Sequence, residues 1–102
     1  MTGVQTCALP IFCVFSVGGV DAQGNLLDYH ESEVAIARSM MQRARKSVLA
    51  IDHSKFGRTA SVRIGSIVEV STIVTDKPPP HGIRKLLRGH PVEILTCRAG
   101  DA

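Results

Sequence analysis

At 102 residues the chain is one small domain or part of one, long enough for a single core but not for that core plus a separate recognition module. Its 44% apolar and 21% charged residues are ordinary for a folded soluble protein and argue against disorder. The net charge of +3 is spread from Arg38 to Arg98 with carboxylates between, leaving no basic stripe for nucleic acid, and the three cysteines, Cys7, Cys13 and Cys97, lack metal spacing and fit a reducing cytoplasm rather than a disulfide framework.

Met1 to Ile11 has no charged residue, no clear period and an interrupting Pro10. It lacks the basic n-region of a signal peptide and is far too short to span a membrane. Thr2-Gly3-Val4-Gln5-Thr6-Cys7-Ala8-Leu9-Pro10-Ile11 resembles the peptide produced when a sequencing adapter at the end of a contig is translated. The expectation is that residues 1–11 are adapter-derived and not structural, and that the true protein continues upstream of a folded region over 12–97, with 98–102 a frayed tail.

Phe12 to Val17 is short, apolar and rich in β-formers, and runs into Gly18-Gly19 as a strand runs into a loop. Asp21 to Asn25 reads as a turn. Val34, Ala37, Met41 and Ala44, at spacings of three and four, predict a helix over 31–46. Asp28 with Glu31 resembles a capping box, and Arg43, Arg45 and Lys46 suit its C-terminal end. Val48 to Ile51 reads as a buried strand. Thr59 to Ile67 is ambiguous and is taken as a short helix or irregular connection. Val70 to Thr75, β-branched apart from one serine, predicts another strand, stopped by Asp76-Lys77-Pro78-Pro79-Pro80. A short helix over 81–88 with Ile83, Leu86 and Leu87 inward ends at Gly89, and Val92 to Cys97 is the last strand. This order predicts an α/β fold: a partial, mostly parallel, Rossmann-like sheet with flanking helices.

In such a sheet, ligands sit against the loops that leave the carboxyl ends of the strands. Asp52-His53-Ser54-Lys55-Phe56-Gly57-Arg58 is one such loop, and it carries an acid, a hydroxyl and cations around a glycine. Cations and a hydroxyl suit phosphate oxygens; a carboxylate suits sugar hydroxyls. A polar loop whose Asp52 caps the next turn is the plain alternative. The topology makes Gly18–Asp21, Asp52–Arg58, Asp76–Pro80 and the start of the long helix neighbours.

Gly19-Val20-Asp21 with Leu26-Leu27-Asp28, Glu33 on a helix, the Asp52 to Arg58 run and Thr75-Asp76-Lys77-Pro78-Pro79-Pro80 together resemble the C-terminal effector-sensing domain of DeoR-family transcriptional repressors, in one register from about Phe12 to Cys97. The resemblance implies a fold related to ribose-5-phosphate isomerase and an N-terminal winged helix-turn-helix for operator DNA. It further implies release from DNA when a phosphorylated sugar or polyol binds, glycerol 3-phosphate being an example. A cytoplasmic homo-oligomer that needs no cofactor, metal or membrane is the corresponding whole protein. Ala37 stands where the family often has lysine, and Gly18-Gly19-Val20-Asp21 matches the isomerases' Asp-Gly-Ala-Asp loop with one acid fewer.

The candidate ligand-binding residues are Asp52, Ser54, Lys55, Arg58, Glu33 and Asp21. Lys55 is the leading phosphate contact, with Ser54 and Arg58 beside it. Asp52 divides between holding a ligand hydroxyl and capping the loop's own amides. Glu33 and Asp21 can face the site, although a carboxylate in a first helical turn is favoured by the dipole without any function. Phe56 reads as a core plug and Cys97 as a small buried hydrophobe. His30, His53, His81 and His90 lack ligand spacing, so no metal role falls to them. Besides a sensor, the residues allow a sugar-phosphate isomerase with Glu33 as base and Lys55 at a developing oxyanion, or a remnant with no site. A chain lacking the first strands should also leave an open sheet edge and exposed apolar surface that favour association.

Overall fold

The computed structural model describes residues 12–97. The readings of residues 1–11 and 98–102 fall outside that range. Four strands, β1 (Phe12–Phe15), β4 (Lys46–Ile51), β6 (Thr72–Thr75) and β7 (Glu93–Thr96), form a wholly parallel sheet in the order β1-β4-β6-β7. The α/β class and the parallel sheet are those expected. Register is continuous across the sheet, with Phe15, Leu49, Ile73 and Ile94 level with one another. Because successive side chains alternate between faces, that row, Cys13 and Ile51 point inward. Phe12, Val14 and Leu95 lie on the other face, exposed.

A second, three-stranded antiparallel sheet was not expected. It orders β2 (Gly19–Val20), β3 (Asn25–Asp28) and β5 (Val62–Ser66) as β2-β3-β5. Gly19 therefore belongs to a strand rather than a loop. Asn25 opens a strand rather than closing a turn. The ambiguous stretch to Ile67 is a strand over Val62–Ser66, followed by a 3₁₀ turn at Ile67–Glu69 that Ser66 and Glu69 cap reciprocally. Leu26, Ile64 and Ile67 are fully buried and join Leu49 and Ile73 in one core. Apolar burial is thus what holds the small sheet against the large one.

Helix α1 (Glu31–Arg43) packs on β5, β1 and β3. Val34 is buried while Ala37 and Met41 pack at the margin of the core, as the spacing predicts. Arg38 donates to the Ile64 carbonyl at 2.7 Å, fastening the helix to the small sheet. The capping box does not form. His30 is the N-cap without a side-chain bond, and Asp28, still in β3, accepts from the Tyr29 amide at 2.8 Å instead. Two acids in the first turn, Glu31 and Glu33, complement the dipole. The helix ends at Arg43 rather than near Lys46, because Lys46 pairs with Phe12 at the start of β4.

Helix α2 (His81–Leu87) buries Ile83 and Leu87, one turn apart. Leu86, expected inward, is 38% exposed because seven residues present only one narrow inward stripe. Strand β6 begins at Thr72, with Val70 buried just ahead of it. Cys97 is exposed, not buried, since it follows the end of the edge strand β7. Phe56 is partly buried against the core and bridges to Val20. Among the described residues no helix is long and apolar enough to cross a membrane.

Candidate functional site

At the carboxyl ends of β1 and β4 the chain leaves a cleft of about 370 Å³. Ser16, Val17 and Gly18 supply one wall from the segment after β1. Asp28, Tyr29 and Glu33 supply a second from the end of β3 and the first turn of α1. Lys55 and Arg58 supply the third from the turn after β4. Three of the nominated residues, Glu33, Lys55 and Arg58, are thus brought together from sites far apart in sequence. Two cations facing two carboxylates suit a ligand that is anionic at one end and rich in hydroxyls at the other.

Asp52 and Ser54 do not line this cleft. Asp52 caps the 3₁₀ turn His53–Lys55, accepting from the Ser54 amide at 2.9 Å and from the Ser54 hydroxyl. The Ser54 hydroxyl, then the Ser54 amide, hold the Asp52 carboxyl below its ordinary range. Both residues build the turn that carries Lys55. Their geometry is the capping arrangement that the sequence left open beside ligand contact.

Asp21 organises the turn between β2 and β3. Its carboxylate accepts from the Gln23 amide at 3.0 Å, from the Asn25 amide at 2.9 Å and from the Asn25 side chain at 2.9 Å. Burial pushes this carboxyl up, but the Asn25 and Gln23 donors, with the Arg63 charge, outweigh it and leave it below the ordinary range. It lines a separate, mostly apolar cavity of about 210 Å³ with Phe56, Gly57, Pro80 and Ile83.

The turn that bears the cations is held tightly. The Gly57 amide donates to the Val20 carbonyl at 2.7 Å, and Gly57 has a φ of +88°, a conformation that glycine adopts freely. At the turn's start the His53 amide donates to Asp76 Oδ1 at 2.7 Å, and the His53 ring Nδ1 meets Asp76 Oδ2 at 2.7 Å. The His53 ring, followed by its amide and charge, draws the Asp76 carboxyl below the usual range despite some desolvation. The sequence made these loops neighbours but singled out neither residue. Ser16, Asp28 and Tyr29 were also not nominated for the site. Ser16 and Tyr29 were marked only by position, at the end of a strand and just before a helix, while Asp28 entered through the Leu26-Leu27-Asp28 element and the capping reading rather than as a ligand contact. Among the described residues no group of three or more His, Cys, Asp or Glu side chains could hold a metal ion.

Comparison with known proteins matches this sequence to a family. The family described as "DeoR C terminal sensor domain" matches residues 10–77. The glycerol-3-phosphate regulon repressor of Escherichia coli is 37% identical over 86 residues, covering 84% of this chain and 34% of that protein. The HTH-type transcriptional repressor CsqR of Escherichia coli is 32% identical over 84 residues, covering 82% of this chain and 32% of that protein. The L-fucose operon activator of Haemophilus influenzae is 32% identical over 85 residues, covering 83% and 33% respectively. The chain therefore spans about a third of the length of these relatives.

Proposed function

The chain belongs to the DeoR C-terminal sensor domain family, and from that premise we propose that its cleft binds a phosphorylated sugar or polyol and thereby controls a transcriptional regulator. The observation that carries this reading is the convergence of Lys55 and Arg58 on Glu33 and Asp28 at the carboxyl ends of two parallel strands. Lys55 and Arg58 take the phosphate charge, Arg58 with the planar fork that suits two phosphate oxygens. Glu33 and Asp28 accept from ligand hydroxyls and repel a second anion, so the ligand enters in one orientation. Asp52 and Ser54 act by shaping the turn, and Asp21 by shaping the neighbouring one.

In the whole protein, a helix-turn-helix N-terminal to the sensor reads operator DNA in the cytoplasm, as part of a homo-oligomer. Effector binding acts through its differential affinity for the DNA-bound and released populations. Relatives include repressors and an activator, which supports a regulator and leaves the sign of control to the DNA-binding half. Glycerol 3-phosphate is the first ligand to try, because one relative is the glycerol-3-phosphate regulon repressor. The isomerase alternative shares Glu33 and Lys55, but the named relatives are regulators, which favours sensing.

The test is calorimetric titration of the chain with glycerol 3-phosphate, with glycerol and inorganic phosphate run alongside. The expected result is saturable binding that Lys55→Gln and Arg58→Gln each weaken about tenfold, the loss of one charge-assisted bond. Binding that both variants leave untouched would overturn the assignment.

A further inference from the structure

We infer that Asp76, on the loop after β6, is the positioning residue that holds the His53–Lys55 turn in place, so that ligand affinity at the cleft is set from a neighbouring strand. The inference rests on reading the cleft as the ligand site. Asp76 lines no part of that cleft, yet both of its carboxylate oxygens are committed to His53, the first residue of the turn. The opening amides of a helical turn have no partner within it. Asp52 satisfies Ser54, and Asp76 satisfies His53 from across the sheet. The hold then passes along the turn: the Lys55 amide donates to the Asp52 carbonyl at 3.2 Å and the Arg58 amide to the Lys55 carbonyl at 3.2 Å. A lysine side chain is long and flexible, so the place of its charge depends on where its backbone is fixed.

Asp76 is itself well anchored. Thr75, the last residue of β6, is buried, and its hydroxyl donates to the Lys77 carbonyl at 3.0 Å. The Cys97 amide donates to the Thr75 carbonyl at 2.8 Å, tying the end of β6 to the edge strand. The sign of the electrostatics separates positioning from charge. Asp76 is a negative group close enough to act on Asp52, which Lys55 also reaches. By charge alone, removing it would tighten anion binding. By positioning, removing the acceptor loosens the turn and weakens binding.

Three variants of the chain decide the matter, each followed by hydrogen exchange without ligand and by calorimetry with glycerol 3-phosphate. Asp76→Ala removes the acceptor, and should speed exchange of the His53 to Arg58 amides and weaken binding about tenfold. Asp76→Asn removes the charge but keeps an oxygen for the His53 amide, and should bind at least as well as the parent. His53→Pro removes both donors while keeping Asp76, at a first-turn position that proline tolerates after the extended Asp52, and should match Asp76→Ala. It also decides the question should Asp76→Ala not fold. Unchanged exchange in Asp76→Ala or His53→Pro overturns the hold on the turn. Faster exchange with unchanged affinity overturns its link to the ligand, as does Asp76→Asn binding as weakly as Asp76→Ala. A parent chain that does not bind glycerol 3-phosphate overturns the coupling together with the cleft reading, while exchange still reports on the turn.

Discussion

The carbonyl oxygen of Arg58 lies so close to Gly19 that a methyl group on that glycine would fall 2.2 Å from it. Strand β2 and the cation-bearing turn therefore touch backbone to backbone, and only a residue without a side chain permits the contact. Gly19→Ala should destabilise the chain by about 1–3 kcal/mol and weaken ligand binding, because backbone rather than a flexible side chain must move. Urea unfolding checks this. Parental stability in the variant would mean that β2 does not clamp the turn.

Glu33 should govern which anion the cleft prefers. With its carboxylate neutralised in Glu33→Gln, inorganic phosphate should bind more tightly, because a repelling charge is gone. Glycerol 3-phosphate should gain less, because a neutral amide oxygen accepts from its hydroxyl more weakly than a carboxylate does. The measurement is the ratio of the two affinities; a ratio unmoved by the substitution would remove Glu33 from the site.

What the sequence revealed follows from how local each signal was. The strands of the parallel sheet announced themselves as apolar or β-branched runs, Val48 to Ile51 and Val70 to Thr75, because a sheet interior demands little else. Helix α1 was visible in the spacing of Val34, Ala37 and Met41. The small sheet was not, since β2 is two residues long and β5, Val-Arg-Ile-Gly-Ser, alternates over only Val62 to Ile64 before Gly65 and Ser66 end the apolar signal. Lys55 and Arg58 were nominated for the chemistry expected at strand ends and Glu33 for its place in the first turn of a helix, and the three line one cleft. The pairing of His53 with Asp76 was not, because nothing local marks a bond between residues so far apart in the chain.

Acid should loosen the site, which neutral pH leaves intact. Asp76 and Asp52 are both held below the ordinary carboxylate range, by the His53 ring and the Ser54 hydroxyl respectively. A depressed folded pKa means the contribution to stability is present above the unfolded value of about 3.9 and is lost as pH falls through the lower folded value. The urea midpoint should therefore start to fall as pH drops below about 5 and keep falling as the lower folded values are passed. The double variant Asp52→Asn with Asp76→Asn should flatten that fall; an equally steep profile would assign it to other carboxylates.

Ile64 tests whether the small sheet is integral to the core. It is 1% exposed in β5, within the same apolar cluster as Leu49 and Ile73 of the large sheet. Ile64→Ala should cost about 2–5 kcal/mol. A loss well below this range in thermal or urea unfolding would show that the two sheets are energetically separate.

The outer strand of the parallel sheet carries one last consequence. Among the described residues β1, Phe-Cys-Val-Phe, is an edge strand with no charge, proline or glycine in it, and both Phe12 and Val14 are turned to the exposed face. Natural sheets guard such borders with charged gatekeepers. Among the described residues this one carries none, so the segment that leads into the cleft also presents a row of amides and carbonyls on which a further strand can template.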